Sequence, residues 1–236
     1  MNADRKIASI AGGLFFAGTV TGLLPTFFIE PHLDSPDYLT KISANGNQVM
    51  IGALFALIAA LISGSIAISL YPVLKRCHEA LALASVGFRL IETTFYIVNI
   101  ISLLALLQLS QEFVKAGLPS GSSLQLLGSL ALAIYNWAGF AFAVSAFSLG
   151  ALMYYVIFYQ SQLIPRWLSG WGVFATLCSL AASLTVMFGE KPGSPLMVAL
   201  ILPIFVQEIV LAGWLIFKGF NPLVIASLFA KNAVTK

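Results

Sequence analysis

Ser85, Arg89, Glu92, Tyr96 and Asn99 follow one another at intervals of four, three, four and three residues. On an α-helix that spacing gathers five hydrogen-bonding side chains, two of them charged, on one face. The residues between them are those of a membrane span: Val86, Phe88, Leu90, Ile91, Phe95, Ile97 and Val98. A polar stripe turned to lipid is costly, so this one is expected to face protein or water. The chemistry within its reach is ion pairing, hydrogen bonding to a polar solute, and proton exchange at a carboxyl.

A third ionisable group, Glu208, lies inside a later apolar run. Helix rise gives the depths. Arg89 falls about 14 Å and Glu92 about 18 Å from the start of its span, and Glu208 about 15 Å from the end of its own. The three therefore share one level if both ends are on the same side. Contact between the two spans would let Arg89 bridge Glu92 on its own helix and Glu208 across the gap, a task suited to the fork of a guanidinium. Ionised, the cluster carries one net negative charge. A bare carboxylate in low dielectric costs several kcal/mol, so one of the two glutamates is expected to carry a proton. Two readings stay open: a proton- or cation-responsive centre, or an ion pair that only ties helices together. Tyr96, Asn99, Asn136, Asn47 and Gln48 fall outward of the charges and are candidates to line a funnel towards Glu92.

Other chemistries are excluded or lack their residues. His32 and His78 fall on opposite sides of the membrane in the topology below, so they form no metal or haem site. No span carries a histidine or a lysine, no nucleophile elbow or phosphate loop occurs, and the two cysteines have no metal-site spacing. No catalytic residue, metal or cofactor is assigned. The net charge of +3 comes from basic residues scattered at helix ends, which is no nucleic-acid signature.

The elements that position the charges follow from composition. The chain has 236 residues, 59% hydrophobic and 9% charged, against about 25% charged in soluble domains. Its long apolar runs predict a single all-α domain over 1–236, an integral membrane bundle of six helices at about 7–29, 49–74, 80–109, 135–159, 167–188 and 195–217. Gly18 and Gly22 give the first span a groove for close packing. Glu30 to Gln48 is a polar loop with room for an interfacial helix, and Ser43 or Asn45 is placed to cap the second span. Gly117, Pro119 and Gly121 break the chain after the third span. Leu124 to Tyr159 is apolar throughout, about 54 Å as a helix against a bilayer core of about 30 Å. About ten residues of it must therefore lie at or beyond the surface. Most aromatics, Phe15, Phe16 and Phe147 among them, are expected to face lipid or its interfaces.

Lys and Arg set the orientation. With the N-terminus inside, Arg5, Lys6, Lys75, Arg76, Arg166, Lys218, Lys231 and Lys236 are cytoplasmic, and Lys41, Lys115 and Lys191 are outside. Both termini are thus expected in the cytoplasm.

Several stretches recur at the intervals of one family: Ser43-Ala44-Asn45-Gly46-Asn47-Gln48, Leu70-Tyr71-Pro72-Val73-Leu74-Lys75, Gly87-Phe88-Arg89-Leu90-Ile91-Glu92, Leu109-Ser110-Gln111-Glu112 and Gly213-Trp214-Leu215-Ile216-Phe217-Lys218-Gly219-Phe220. From about Arg5 to about Ser227 the chain resembles a bacterial multi-pass membrane family, domain of unknown function 4386. The resemblance implies a bacterial inner-membrane setting and directs attention to Arg89, Glu92 and Glu208, but brings no substrate.

Three functions fit these residues: a carrier or receptor with an outward-facing polar pocket for a small molecule, ion or proton; a structural or partner-binding membrane subunit; and an enzyme acting on lipid or quinone, for which no nucleophile is evident. Membrane lipids are the expected surroundings in each.

Overall fold

A computed structural model describes residues 3–33, 35–117 and 123–234, with side chains as far as 228. Asp34, Pro119, Gly121 and Lys236, and the side chain of Lys231, lie outside the described residues. The elements in order are α1 (Ala3–Phe28), α2 (Glu30–Leu33), α3 (Tyr38–Ala44), α4 (Gly46–Leu74), α5 (Glu79–Ala116), α6 (Ser123–Asn136), a π-helical segment (Trp137–Ala143), α7 (Val144–Ser161), α8 (Arg166–Met187), α9 (Pro195–Phe217) and α10 (Pro222–Val234). There is no strand among the described residues.

Six helical stretches are long and apolar enough to cross a membrane: Ala3–Leu33, Gly46–Leu74, Glu79–Ala116, Ser123–Ser161, Arg166–Met187 and Pro195–Phe217. In each, half or more of the most apolar window is left unburied. For apolar surface on that scale the fitting solvent is lipid.

Neighbour relations give the layout. α1 packs on α4, α4 on α5, α5 on α7, α7 on α8, α8 on α9, and α9 returns to α1. The spans form a closed ring in chain order, running alternately up and down. The end where α1 begins is called the near end. Gly18 and Gly22 face α4 as their spacing predicted; a Cβ on Gly18 would stand 3.1 Å from Ile62 Cγ2. α1 and α9 approach more closely still, since a Cβ on Gly12 would meet the Ala212 carbonyl oxygen at 2.8 Å.

α5 has 38 residues and the α6–α7 stretch 39, about 57 and 58 Å long. The surplus over a bilayer gathers at the far end. There α6 and α3 pack on α5 over Leu39, Ile42, Leu103, Leu106 and Ala131. The apolar run after Leu124 is thus helical from Ser123, and the polar loop before α4 holds α2 and α3. Asn45 occupies the cap position of α4 but makes no capping bond; its amide donates back to the Lys41 carbonyl at 2.9 Å.

The near end is stitched by polar contacts. The Arg5 guanidinium donates to the carbonyls of Leu215, Ile216 and Phe217 at 3.2, 2.7 and 3.0 Å, where α9 ends with unsatisfied acceptors and a negative dipole end. Arg76 pairs with Asp4 at 2.9 Å, and Asn221 N–H donates to the Leu163 carbonyl at 2.8 Å.

Candidate functional site

The stripe on α5 points inward. Ser85, Arg89, Glu92 and Asn99 are buried and Tyr96 is half-buried. Arg89 Nη1 lies 3.1 Å from Glu92 Oε2, an ion pair within one helix. Neighbouring helices hold both members. Ser63 of α4 donates its hydroxyl to Glu92 Oε1 at 2.6 Å, and its carbonyl accepts from Arg89 Nε at 3.3 Å. From α7 the Phe147 ring sits 4.8 Å from Arg89 Cζ, a stabilising place for a desolvated cation. Gly150 leaves room for the arginine stem: a Cβ there would stand 3.1 Å from Arg89 Cγ.

The expected bridge from Arg89 to both glutamates does not form. Arg89 pairs with Glu92 and makes no ion pair with Glu208. The ring explains this, because α5 and α9 stand on opposite sides of it with α4–α1 and α7–α8 between them. Glu208 turns instead to α1, where the Thr19 hydroxyl donates to its Oε2 at 3.4 Å. Helix rise puts the three charges at one level, but depth alone does not fix which helices touch. Arg89, Glu92 and the half-buried Glu208 still lie within electrostatic range of one another, and Tyr96 and Tyr154 each lie within range of all three.

Several buried polar atoms around this interior have no hydrogen-bond partner: Ser85 Oγ, Arg89 Nη1, Glu92 Oε2, the Tyr154 hydroxyl and Glu208 Oε1. The Arg89–Glu92 contact is close but not aligned as a hydrogen bond. Buried polar atoms are satisfied in the great majority of cases, so this concentration of orphaned atoms makes the bundle interior the candidate site.

The amides do not gather into a funnel. Asn99 is buried and donates to the Tyr135 carbonyl at 2.7 Å. Gln48 is exposed and bonds His32 at 3.0 Å. Asn47 is exposed, and Asn136 is half-buried on α6. Gln207, next to Glu208, accepts from the Tyr155 hydroxyl and donates to the Leu168 carbonyl.

Ser63, Thr19, Phe147 and Tyr154 were missed by sequence reasoning. Hydroxyls are common in membrane helices, and nothing in the chain marks these as the ones aimed at a charge. Phe15 and Phe147, read as lipid-facing, turn inward: Phe15 is fully buried and meets the Tyr154 ring edge-on at 6.1 Å. Among the described residues no three His, Cys, Asp or Glu gather as metal ligands. Surface cavities of about 380 and 320 Å³ lie at the far end of α8–α9 and at the near end beside α10, and none of the three charges lines either.

Comparison with curated proteins and with solved structures finds no match. The model of one family matches residues 10–219, a stretch that takes in the first span from Ile10 onward, the other five spans and the three charges. The chain belongs to that family, described as Domain of unknown function (DUF4386).

Proposed function

We propose that this multi-pass membrane protein is a carrier or receptor that holds a small cationic or zwitterionic solute, or an ion, at the level of Arg89, Glu92 and Glu208. The observation that carries the reading is the set of buried polar atoms without a hydrogen bond that α5, α7 and α9 contribute around these charges, Glu208 Oε1 above all, since Arg89 Nη1 and Glu92 Oε2 are paired with each other. Ionisable residues inside a membrane are expensive and mark binding sites and pathways by default. With one cation and two carboxyls, the centre favours a positive charge, and Arg89 offers an anchor for a carboxylate on the same solute. Tyr96 and Tyr154 add phenols within electrostatic range of these charges.

The excess of basic residues at the near end supports cytoplasmic termini in a bacterial inner membrane. The solute then approaches from the far end, past Tyr96 and Asn99. Asn136, Asn47 and Gln48 would meet it only at the rim.

A thermal-shift screen of purified protein against alkylamines, choline and amino acids tests this. At least one class should raise the Tm of the wild type by several degrees, and Glu92→Gln and Glu208→Gln should abolish the shift while the protein stays folded. No shift with any class, or a shift that survives both variants, overturns it. A structural role is the second reading, favoured by the way Ser63 and Phe147 immobilise Arg89. Under it Glu92→Gln lowers the Tm and changes nothing else.

A further inference from the structure

Resting on the reading of this centre as a binding site, we infer that its two carboxyls have different tasks: Glu208 is the exchangeable site for a monovalent cation, a proton or an alkali ion, while Arg89 and Glu92 remain a fixed pair. Glu92 is held three ways, by Arg89 on its own helix, by the Ser63 hydroxyl, and by burial at 3% exposure. Its partner is held in turn by the Ser63 carbonyl, the Phe147 ring and the close wall at Gly150. Together they are neutral.

Glu208 stands on the opposite wall without a counter-ion. Its one hydrogen-bond partner among the described residues is the Thr19 hydroxyl at a long 3.4 Å, and its second oxygen is buried with none. The neighbouring helices bring no compensating charge to its level. On α1 the titratable groups are Asp4, Arg5 and Lys6, about 20 Å or more along the helix from Thr19. On α8 they are Arg166 at its first residue and the half-buried Cys178. From across the ring Glu208 is faced by Arg89, Glu92 and Tyr96 of α5 and by Tyr154 and Tyr155 of α7. The Arg89 charge is already matched by Glu92, so Glu208 is the surplus.

Tyr154 is the second, independent pointer. Its side chain is fully buried, its hydroxyl has the Tyr155 phenol beside it but makes no well-aligned hydrogen bond, and it lies within electrostatic range of Glu208. Carboxylate, threonine hydroxyl and phenol are all oxygen donors, a set for a proton or a hard monovalent ion. A divalent ion would call for more ionised carboxylates than this wall supplies. Uptake is one reversible step in which the cation binds the Glu208 carboxylate and the wall becomes neutral, with no other bond made or broken.

The test is infrared difference spectroscopy of the full-length protein in lipid, stepping the pH, then exchanging choline chloride for NaCl or KCl at fixed pH. The wild type should show a reversible protonated-carboxyl band. Glu208→Gln should remove it, Thr19→Val should move its frequency, and Ser63→Ala should leave it in place. Depletion of the band by Na⁺ or K⁺ assigns an alkali ion as the competing cation, and insensitivity to both assigns the proton alone. Should Glu208→Gln fail to fold, carbodiimide, which attacks protonated carboxyls, is applied to the wild type, and peptide mass spectrometry should place the adduct on Glu208. A band that survives Glu208→Gln, an adduct on Glu92, or a wild type with neither a pH- nor an alkali-dependent carboxyl signal overturns the inference. Solute shifts in the screen above combined with any of those results sink this division of tasks alone. A titrating Glu208 in a protein that binds no solute sinks the solute reading alone.

Discussion

The side-chain amide of Asn99 donates to the backbone carbonyl of Tyr135 across 2.7 Å, just before the helix widens into the π-helical segment Trp137–Ala143. Where bonding changes from i→i−4 to i→i−5, carbonyls at the join are poorly served, and π segments persist where tertiary contacts support them. Gly139 completes the fit, because a Cβ there would stand 2.4 Å from Asn99 Nδ2. Asn99→Leu should destabilise the protein by about 1–3 kcal/mol, the range for orphaning a buried acceptor. Gly139→Ala should do so through collision with the amide. The two sites share one contact, so Asn99→Ala with Gly139→Ala should cost less than the sum of the single changes. Thermal unfolding in detergent reads all three, and strict additivity would show that the two residues act separately.

Ser63 serves the ion pair twice, through its hydroxyl to Glu92 and its carbonyl to Arg89. Ser63→Ala removes only the first and should cost about 1.5–3 kcal/mol, as for a hydrogen bond to a buried charge. Arg89→Gln should cost about 3–5 kcal/mol because it strands Glu92. Adding Glu92→Gln should recover part of that loss. Chemical unfolding of the two single variants and the double gives the comparison, and a double no more stable than Arg89→Gln would mean that the glutamate does not depend on the arginine.

Arg5 joins the first span to the last. It donates to the final carbonyls of α9, and Gly219 beyond them has φ +75° with its Cβ position 2.5 Å from Arg5 Nη1. Arg5→Gln should lower stability by about 1 kcal/mol, since the site is only part-buried and cations at helix ends contribute on that scale. It should also speed amide exchange at the near end of α9. Gly219→Ala should produce the same local exchange through backbone strain and displacement of the guanidinium. Unchanged exchange in both variants would remove the clasp.

What the chain disclosed ahead of coordinates follows from periodicity. Spacing of four and three on α5 is a local property, so the inward stripe and the Arg89–Glu92 pair were legible. Length was legible too: the run from Leu124 to Tyr159 lies in one helical stretch, Ser123–Ser161, longer than a bilayer core needs. The order of helices round the ring was not. It is set by close approaches such as Gly12 on Ala212 and Gly18 on Ile62, and the chain has 19 glycines that nothing local ranks. The misplaced Arg89–Glu208 bridge and the dispersed amides have that one cause. Asn99 was read correctly as inward, but its partner is a carbonyl at a π join, which exists only once α5 and α6 are packed.

Cys77 supplies a check on orientation that is independent of the charged centre. It lies in the α4–α5 turn at the near end, half-buried. Burial pushes its thiol above the ordinary value, while a hydrogen bond with Ser161 and the charge of Arg76 pull the other way without cancelling the rise. Thiolate is the reactive form. Between the ordinary and the raised value, the native thiol stays protonated where an unfolded one would have ionised. Maleimide labelling of Cys77 in the native protein should therefore rise at higher pH than in the protein unfolded by detergent. With cytoplasmic termini, a membrane-impermeant maleimide should reach Cys77 only after cells are permeabilised. Labelling of intact cells would invert the topology and with it the side from which a solute meets Tyr96 before Glu92. A native profile that matches the unfolded one would show that the turn leaves the thiol open to water.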